Sequence, residues 1–224
     1  MFDINSLSPS PRRQILASGI PMKNIGMEMS DLEDTQAKKM VEAWIQKVLA
    51  GEIIQNAGSP KCGVGLMLVG KPGHGKTTMA STALQSLIRG ITEAALDVRE
   101  PVPTRVGAFM DYPKLLRIQK AQWDNPDEDT RIMLDSIYGD SSKINNVRVF
   151  VLDDLGKEYK TASGYAENNF DALLRSRFNA GLPTIVTTNI PAKDWGGIYG
   201  EAMGSFAKEA FLQIPVIAPG GDRR

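Results

Sequence analysis

Eight consecutive residues, Gly70-Lys71-Pro72-Gly73-His74-Gly75-Lys76-Thr77, match the spacing G-x-x-x-x-G-K-[ST]. The chemistry of that spacing is phosphate binding. The glycines allow a tight turn whose N–H groups face anionic oxygens, and the helix that follows adds the positive end of its dipole. In such a loop the Lys76 ammonium reaches the β- and γ-phosphates and the Thr77 hydroxyl ligates Mg²⁺. The apolar run 64–69 before the loop and the helical run from Thr78 to about Arg89 after it supply the required strand–loop–helix context. Gly70 through Thr78 therefore form a candidate cradle for a nucleoside triphosphate.

Two further strand ends carry groups that complement such a cradle. Val149-Phe150-Val151-Leu152-Asp153-Asp154 is an apolar strand closed by two carboxylates. It is expected to lie beside the loop strand, with Asp153 holding Mg²⁺ and Asp154 orienting or deprotonating the attacking water. Thr184-Ile185-Val186-Thr187-Thr188-Asn189 is a second apolar strand with a polar end. Ligands of doubly wound sheets gather at carboxyl ends, so Asn189 is a candidate partner of the γ-phosphate or the water. The alternative is a local Asx turn before Pro191. Lys114, Arg117 and Lys120 recur at i, i+3 and i+6 on a predicted helix, which makes either a row of phosphate contacts or a solvated basic face. Tyr112 and Trp123 flank that row and could stack on bases, with core packing the expectation for Trp123.

Composition narrows the class. The 224 residues are enough for one α/β domain, and Lys+Arg and Asp+Glu balance at 26 each. With no bulk field, nucleic-acid contact must come from local patches. The single cysteine, Cys62, excludes an internal disulfide and a cysteine-cluster metal site, and reads as a bland loop residue. The lone His74, at a variable position of the loop, implies no metal role and faces solvent or nucleotide. No apolar stretch has membrane-spanning length and the N-terminus lacks a leader pattern, so the expectation is a cytoplasmic protein.

The elements that must position these groups are legible in outline. Residues 1–29 hold Pro9, Pro11, Gly19, Pro21 and Gly26 without a period and read as a mostly irregular N-terminal arm; Arg12 and Arg13 read as an exposed pair. The spacing Ser30-Asp31-Leu32-Glu33 predicts a helix start. Met40, Val41, Trp44, Ile45, Val48 and Leu49 give that helix one apolar face, with Trp44 in the core and Gly51 as a stop. Strands are expected over 104–110, 147–152, 182–188 and 212–218, and helices over 111–123, 128–138, 166–180 and 201–210. Apolar strands alternating with helices predict a parallel sheet covered on both faces.

The phosphate loop, Asp153-Asp154-Leu155-Gly156-Lys157-Glu158, Arg177-Phe178 and Pro183-Thr184-Ile185-Val186-Thr187-Thr188-Asn189 together resemble the bacterial helicase-loader AAA+ ATPases, a family of DnaC-like loaders and IstB-like transposition helpers. Gly19-Ile20-Pro21 resembles the opening of its ATPase domain. The resemblance spans about residues 19–224. It implies an AAA+ P-loop NTPase fold, a three-layer sandwich around a five-stranded parallel sheet, with the ATPase domain over 30–224. It implies ATP and Mg²⁺ as ligands, with Lys76 and Thr77 on phosphate and metal, Asp153 on the metal, Asp154 in the catalytic-acid position and Asn189 as the first sensor. The implied partners are a replicative DNA helicase, single-stranded DNA along Lys114, Arg117 and Lys120, and further copies of the chain.

The sequence departs from the family in four ways. Many AAA+ proteins have Glu where Asp154 stands, which predicts slow hydrolysis. Ser205-Phe206-Ala207-Lys208-Glu209-Ala210 lacks the usual Arg finger and leaves Lys208 as its cationic substitute. Only a short arm and one helix precede the ATPase region. The chain ends soon after the last strand, so no C-terminal lid domain is expected, and Arg223 is a terminal Arg that either senses nucleotide or is solvated. A transposition helper and a nucleotide-dependent binding module that barely hydrolyses ATP are the competing functions. The N-K-x-D motif of GTPases and the Arg-rich lid of small-molecule kinases are absent from the sequence.

Overall fold

The computed structural model describes residues 1–156 and 165–217. Its sheet is built from β1 (Gly65–Val69), β2 (Gly107–Asp111), β3 (Val149–Leu155), β4 (Thr184–Thr188) and β5 (Phe211–Pro215). All pairings are parallel and the spatial order is β2-β3-β4-β1-β5. β4 therefore separates β3 from β1, which corrects the expectation that the strand of Asp153 lies beside the loop strand. It pairs with both neighbours at the site, Val69 facing Thr188 and Leu155 facing Thr188 from the other side, with the β3 register shifting between Leu152 and Leu155.

The three inner strands β1, β3 and β4 are buried on both faces, and alternate side chains of the sheet feed two cores. Leu66, Leu68, Val149, Val151, Ile185 and Ile214 pack on α1 (Pro9–Ala17), α2 (Gln36–Leu49) and α3 (Lys76–Asp97). Met67, Phe150, Leu152, Val186 and Phe211 face the other way. There they meet α4 (Tyr112–Asp124), α5 (Glu128–Tyr138), α6 (Tyr165–Asn179), α7 (Ala192–Tyr199) and α8 (Glu201–Ala210). The second core is aromatic: Phe170 meets Tyr112, Trp195 and Tyr199 edge to face. The result is a three-layer α/β/α sandwich, as the strand–helix alternation predicts.

Three local expectations change. The arm is not mostly irregular, because Pro9 sits at the start of α1 and the fully buried Ile15 anchors that helix. The segment is stitched down by backbone: Phe109 N donates to Ser18 O at 2.7 Å, and a Cβ at Gly19 would sit 2.5 Å from Phe109 O. Second, α2 starts at Gln36 with Thr35 as its N-cap, while the acidic pair upstream closes a short 3₁₀ turn through Glu28 and Asp31. Trp44 is buried as expected and donates its indole N–H to Val64 O. Third, α7 occupies a stretch after Asn189-Ile190-Pro191 for which the sequence predicts no element. Pro191 caps it and Trp195 pins it, donating Nε1–H to Ile190 O at 3.1 Å.

One buried cation organises the second core. Arg177, fully buried on α6, donates Nη1 to Ile137 O at 2.5 Å, Nη2 to Val147 O and Pro183 O at 3.1 Å each, and Nε to Thr184 Oγ1 at 3.0 Å. Carbonyl dipoles replace a carboxylate partner. Full burial pushes the guanidinium pKa down to about 9.

Candidate nucleotide-binding site

The loop 70–75 leaves β1 fastened to both neighbouring strands. Gly70 N donates to Thr188 O at 3.2 Å, and Val216 N, just past β5, donates to Val69 O at 2.7 Å. A Cβ at Gly70 would lie 2.3 Å from Val216 O, so only glycine permits this approach. Gly73 and Gly75 both take φ +85°, and space around a Cβ at Gly75 is open, so the backbone is exposed for an anion. Gly75 then caps α3, whose first turn presents its N–H groups at the same place. Lys71 and Pro72 sit exposed at the tip.

Lys76 opens α3 and is 6 % exposed. Its ammonium donates to Gly70 O at 2.7 Å, Lys71 O at 3.0 Å and Asn189 Oδ1 at 2.9 Å. Asn189 thus reaches the cradle from the end of β4, holding the lysine. The local turn before Pro191 is closed by a different group, Thr188 Oγ1, which accepts from Ile190 N at 3.1 Å. The Thr77 hydroxyl donates to Asp153 Oδ1 at 3.0 Å, with Oδ2 at 3.1 Å. Asp153 is nearly buried and also accepts from Thr187 Oγ1 at 2.6 Å. The intervening strand is the reason Asp153 still meets Thr77: Thr187 of β4 reaches across to hold it.

β3 is irregular where the chemistry lies. Leu152 pairs with Val186 and Leu155 with Thr188, so β3 spends one extra residue at the two aspartates. Asp154 absorbs the bulge with φ +60°, and its N–H donates to Thr187 Oγ1 at 2.9 Å. A single hydroxyl, Thr187, therefore fixes the carboxylate of Asp153 and the backbone of Asp154. No motif marks Thr187; the Thr187-Thr188 pair at a strand end is its only signal in the sequence.

His74 is half-buried, with Nδ1 3.1 Å from Val216 O. It faces the exit of β5, a contact the sequence could not show. Beside it, Gly73, His74, Thr78, Leu32, Thr35 and Val216 line a cavity of about 250 Å³. Lys208 lies elsewhere. It is exposed on α8, three residues before Phe211, which pairs with Gly65 at the far end of β1. About 13 Å of strand separates that end from the phosphate loop. Within one chain the structure does not bring Lys208 to Lys76.

Lys114, Arg117 and Lys120 are all exposed on α4, which fills the connection from β2 to β3. The helix is capped by Asp111, whose Oδ1 accepts from Lys114 N at 2.8 Å, and Asp111 is the register partner of Asp153. The row thus starts one strand from the acid pair. Tyr112 is fully buried against Phe170 and faces no solvent. Trp123 reverses its expectation: its spacing continues the stripe of Tyr112, Leu115 and Gln119, but burial along that stripe ends at Gln119, and Trp123 on the last turn of α4 is 73 % exposed. Cys62 is free and partly covered. Glu158 and Arg223 lie outside the described residues.

The strand order, the glycine-built loop and the acid pair on the strand beyond β4 give a three-layer α/β fold of the AAA+ P-loop type. Among solved structures, this chain is similar to the DnaC helicase loader, at 21 % identity and TM-score 0.62, over 88 % of this chain and 100 % of that one. It is similar to DnaI at 16 % identity and TM-score 0.59, over 88 % and 94 % of the two chains. It also resembles AMPPCP-bound DnaA from Aquifex aeolicus at 13 % identity and TM-score 0.52, over 87 % of this chain and 51 % of that one. At these identities the likeness is one of fold. No protein-family model matches the sequence, and comparison with curated proteins finds no match. No helix among the described residues is long and apolar enough to cross a membrane.

Proposed function

We propose that this chain binds Mg·ATP, hydrolyses it slowly, and acts as a DnaC-like helicase loader on a replicative helicase and single-stranded DNA. One observation carries the nucleotide reading: Lys76 bonds Asn189 and the adjacent Thr77 bonds Asp153, so groups from three separate strand ends meet at a glycine-built loop. The loop N–H groups and Lys76 would hold the β- and γ-phosphates, phosphate oxygens taking over as acceptors from the Gly70 and Lys71 carbonyls. The cavity lined by Leu32, Thr35, His74 and Val216 has room for the nucleoside end.

Thr77 and Asp153 fit a magnesium ion, being oxygen donors already within 3.1 Å of each other. The ion supplies positive charge against the β- and γ-oxygens. Asp154 would take the proton of the attacking water, and Asn189 would orient that water or the terminal phosphate. Lys208 would act only on the site of a neighbouring copy, which makes a homo-oligomer part of the reading.

The loader assignment rests on the sequence motifs and on the fold shared with DnaC and DnaI. A second reading, a nucleotide-dependent binding module with little hydrolysis, is favoured by Lys208 standing where the resemblance calls for an Arg finger. Fluorescent-nucleotide titration beside an ATPase assay, with and without single-stranded DNA and with a replicative helicase supplied, tests both. DNA- or helicase-stimulated turnover supports the first. Tight binding with no stimulated turnover leaves the second.

A further inference from the structure

We infer that the groove between α4 and α5 is a pocket for one base of a single DNA strand, with Trp123 as its stacking platform. The inference rests on the reading of α4 as a strand-binding helix and adds a base site that the cationic row alone does not provide. Trp123 is the one tryptophan of the three that is exposed, at 73 %, against 3 % for Trp44 and 0 % for Trp195. It stands one helical turn after Lys120 and two after Arg117. An indole there offers a flat apolar face beside two cations, the combination that holds a base and its flanking phosphates.

The groove of about 300 Å³ beneath it is lined by Gln119, Gln122, Leu134, Asp135, Tyr138, Asp140 and Asn169. Gln119 is 7 % exposed, and its Nε2 donates to Tyr138 Oη at 2.7 Å. Its Oε1 has no hydrogen-bond partner among the described residues. A buried, unpaired amide oxygen costs stability unless a donor reaches it. Asp135 and Asp140 add carboxylate oxygens at the rim, already engaged by Arg131 and Ser176 with lone pairs to spare. The buried Gln119 Oε1 and the two carboxylates accept, while Gln122 and Asn169 bring amides that can also donate. A phosphate is repelled there, and the favoured guest is a base edge that donates. Cytosine offers its exocyclic amine where thymine offers a carbonyl. The phosphates stay outside, on Arg117 and Lys120.

The test uses the whole chain with ATP and deoxy-oligonucleotides of about twelve residues, all cytosine or all thymine. Expected are quenching of the exposed tryptophan's fluorescence on binding and affinity for the cytosine strand at least about threefold above the thymine strand. Trp123→Ala should lose about tenfold in affinity and the quench, with ATP affinity unchanged, while Trp123→Phe retains most of the binding. Gln119→Leu should narrow the cytosine preference. If Trp123→Ala binds both strands like the parent while removal of Lys114, Arg117 and Lys120 weakens binding, the base pocket is wrong and the cationic row stands. If neither change weakens binding, or the parent binds no strand, the DNA reading of α4 falls and the pocket with it.

Discussion

The residues of the site divide by what their backbone had to do. Lys76 and Thr77 were legible because a helix start and a glycine loop leave few conformations for them. Lys76→Ala removes the ammonium that three oxygens now hold. It should abolish tight ATP binding with the unfolding midpoint little changed, read by nucleotide titration beside thermal melting. Asp154→Asn keeps size and hydrogen-bonding shape and removes the base. ATP should still bind, and turnover should fall about a hundredfold or more in a single-turnover assay. Unchanged turnover places the base elsewhere, with Glu158 the next residue to vary. Thr187 was not legible, because its value lies in two contacts across the sheet rather than in any motif. Thr187→Val preserves shape and deletes both, so it should lower turnover and weaken the Mg²⁺ dependence while leaving metal-free nucleotide affinity near that of the parent.

At the scale of elements, periodicity located what buries a simple face. α5 lies at the boundaries expected, and α4 within a residue. What it missed was decided by contacts distant in sequence. α1 is polar by composition and is held by Gln14, whose amide donates to Pro103 O at 2.9 Å and accepts from Val106 N at 3.2 Å. α7 is only eight residues long and depends on the Trp195 anchor. Arg177 shows the same dependence from within α6. Arg177→Met would take a donor from three carbonyls and a threonine hydroxyl, of which Pro183 O keeps the 3.4 Å bond from Phe150 N, at a cost on the order of 3 kcal/mol in denaturant unfolding. Its pKa is lower folded than unfolded, so the unfolded chain holds the proton more tightly above about pH 9. The cost of burying the charge is complete below that pH and declines above it. On α4, changing Lys114, Arg117 and Lys120 to Ala should weaken single-strand binding across all sequences. The slope of log affinity against log salt should fall by up to about two, at roughly 0.7 per phosphate contact, with ATP affinity unchanged. Fluorescence anisotropy over a salt series reads both. An unchanged slope makes the row a solvated face.

For the whole molecule, alternation in the sequence announced the layers but not the order of the strands within the sheet. β4 lies inside because its five residues are all buried, and only a central strand has both edges paired. The same topology puts Lys208 and the phosphate loop at opposite ends of β1 and β5. If Lys208 serves a neighbour's nucleotide, Lys208→Ala and Lys76→Ala chains should each be inactive alone yet regain turnover when mixed, since a mixed interface pairs an intact loop with an intact lysine. No recovery at any mixing ratio would remove Lys208 from the site.

The bulge in β3 reaches beyond structure into the mutational neighbourhood of the gene. At φ +60°, position 154 admits Gly, Asn and Asp far more readily than other residues. Glutamate would keep the carboxylate but meet a backbone cost of about 1–2 kcal/mol. Asparagine and glycine codons each lie one nucleotide from an aspartate codon, fit the turn, and carry no base. If Asp154 is the base proposed above, a single point change should convert the chain into one that binds nucleotide and holds it, with no refolding to select against. The same bulge that aims the carboxylate keeps a non-hydrolysing variant within one mutational step.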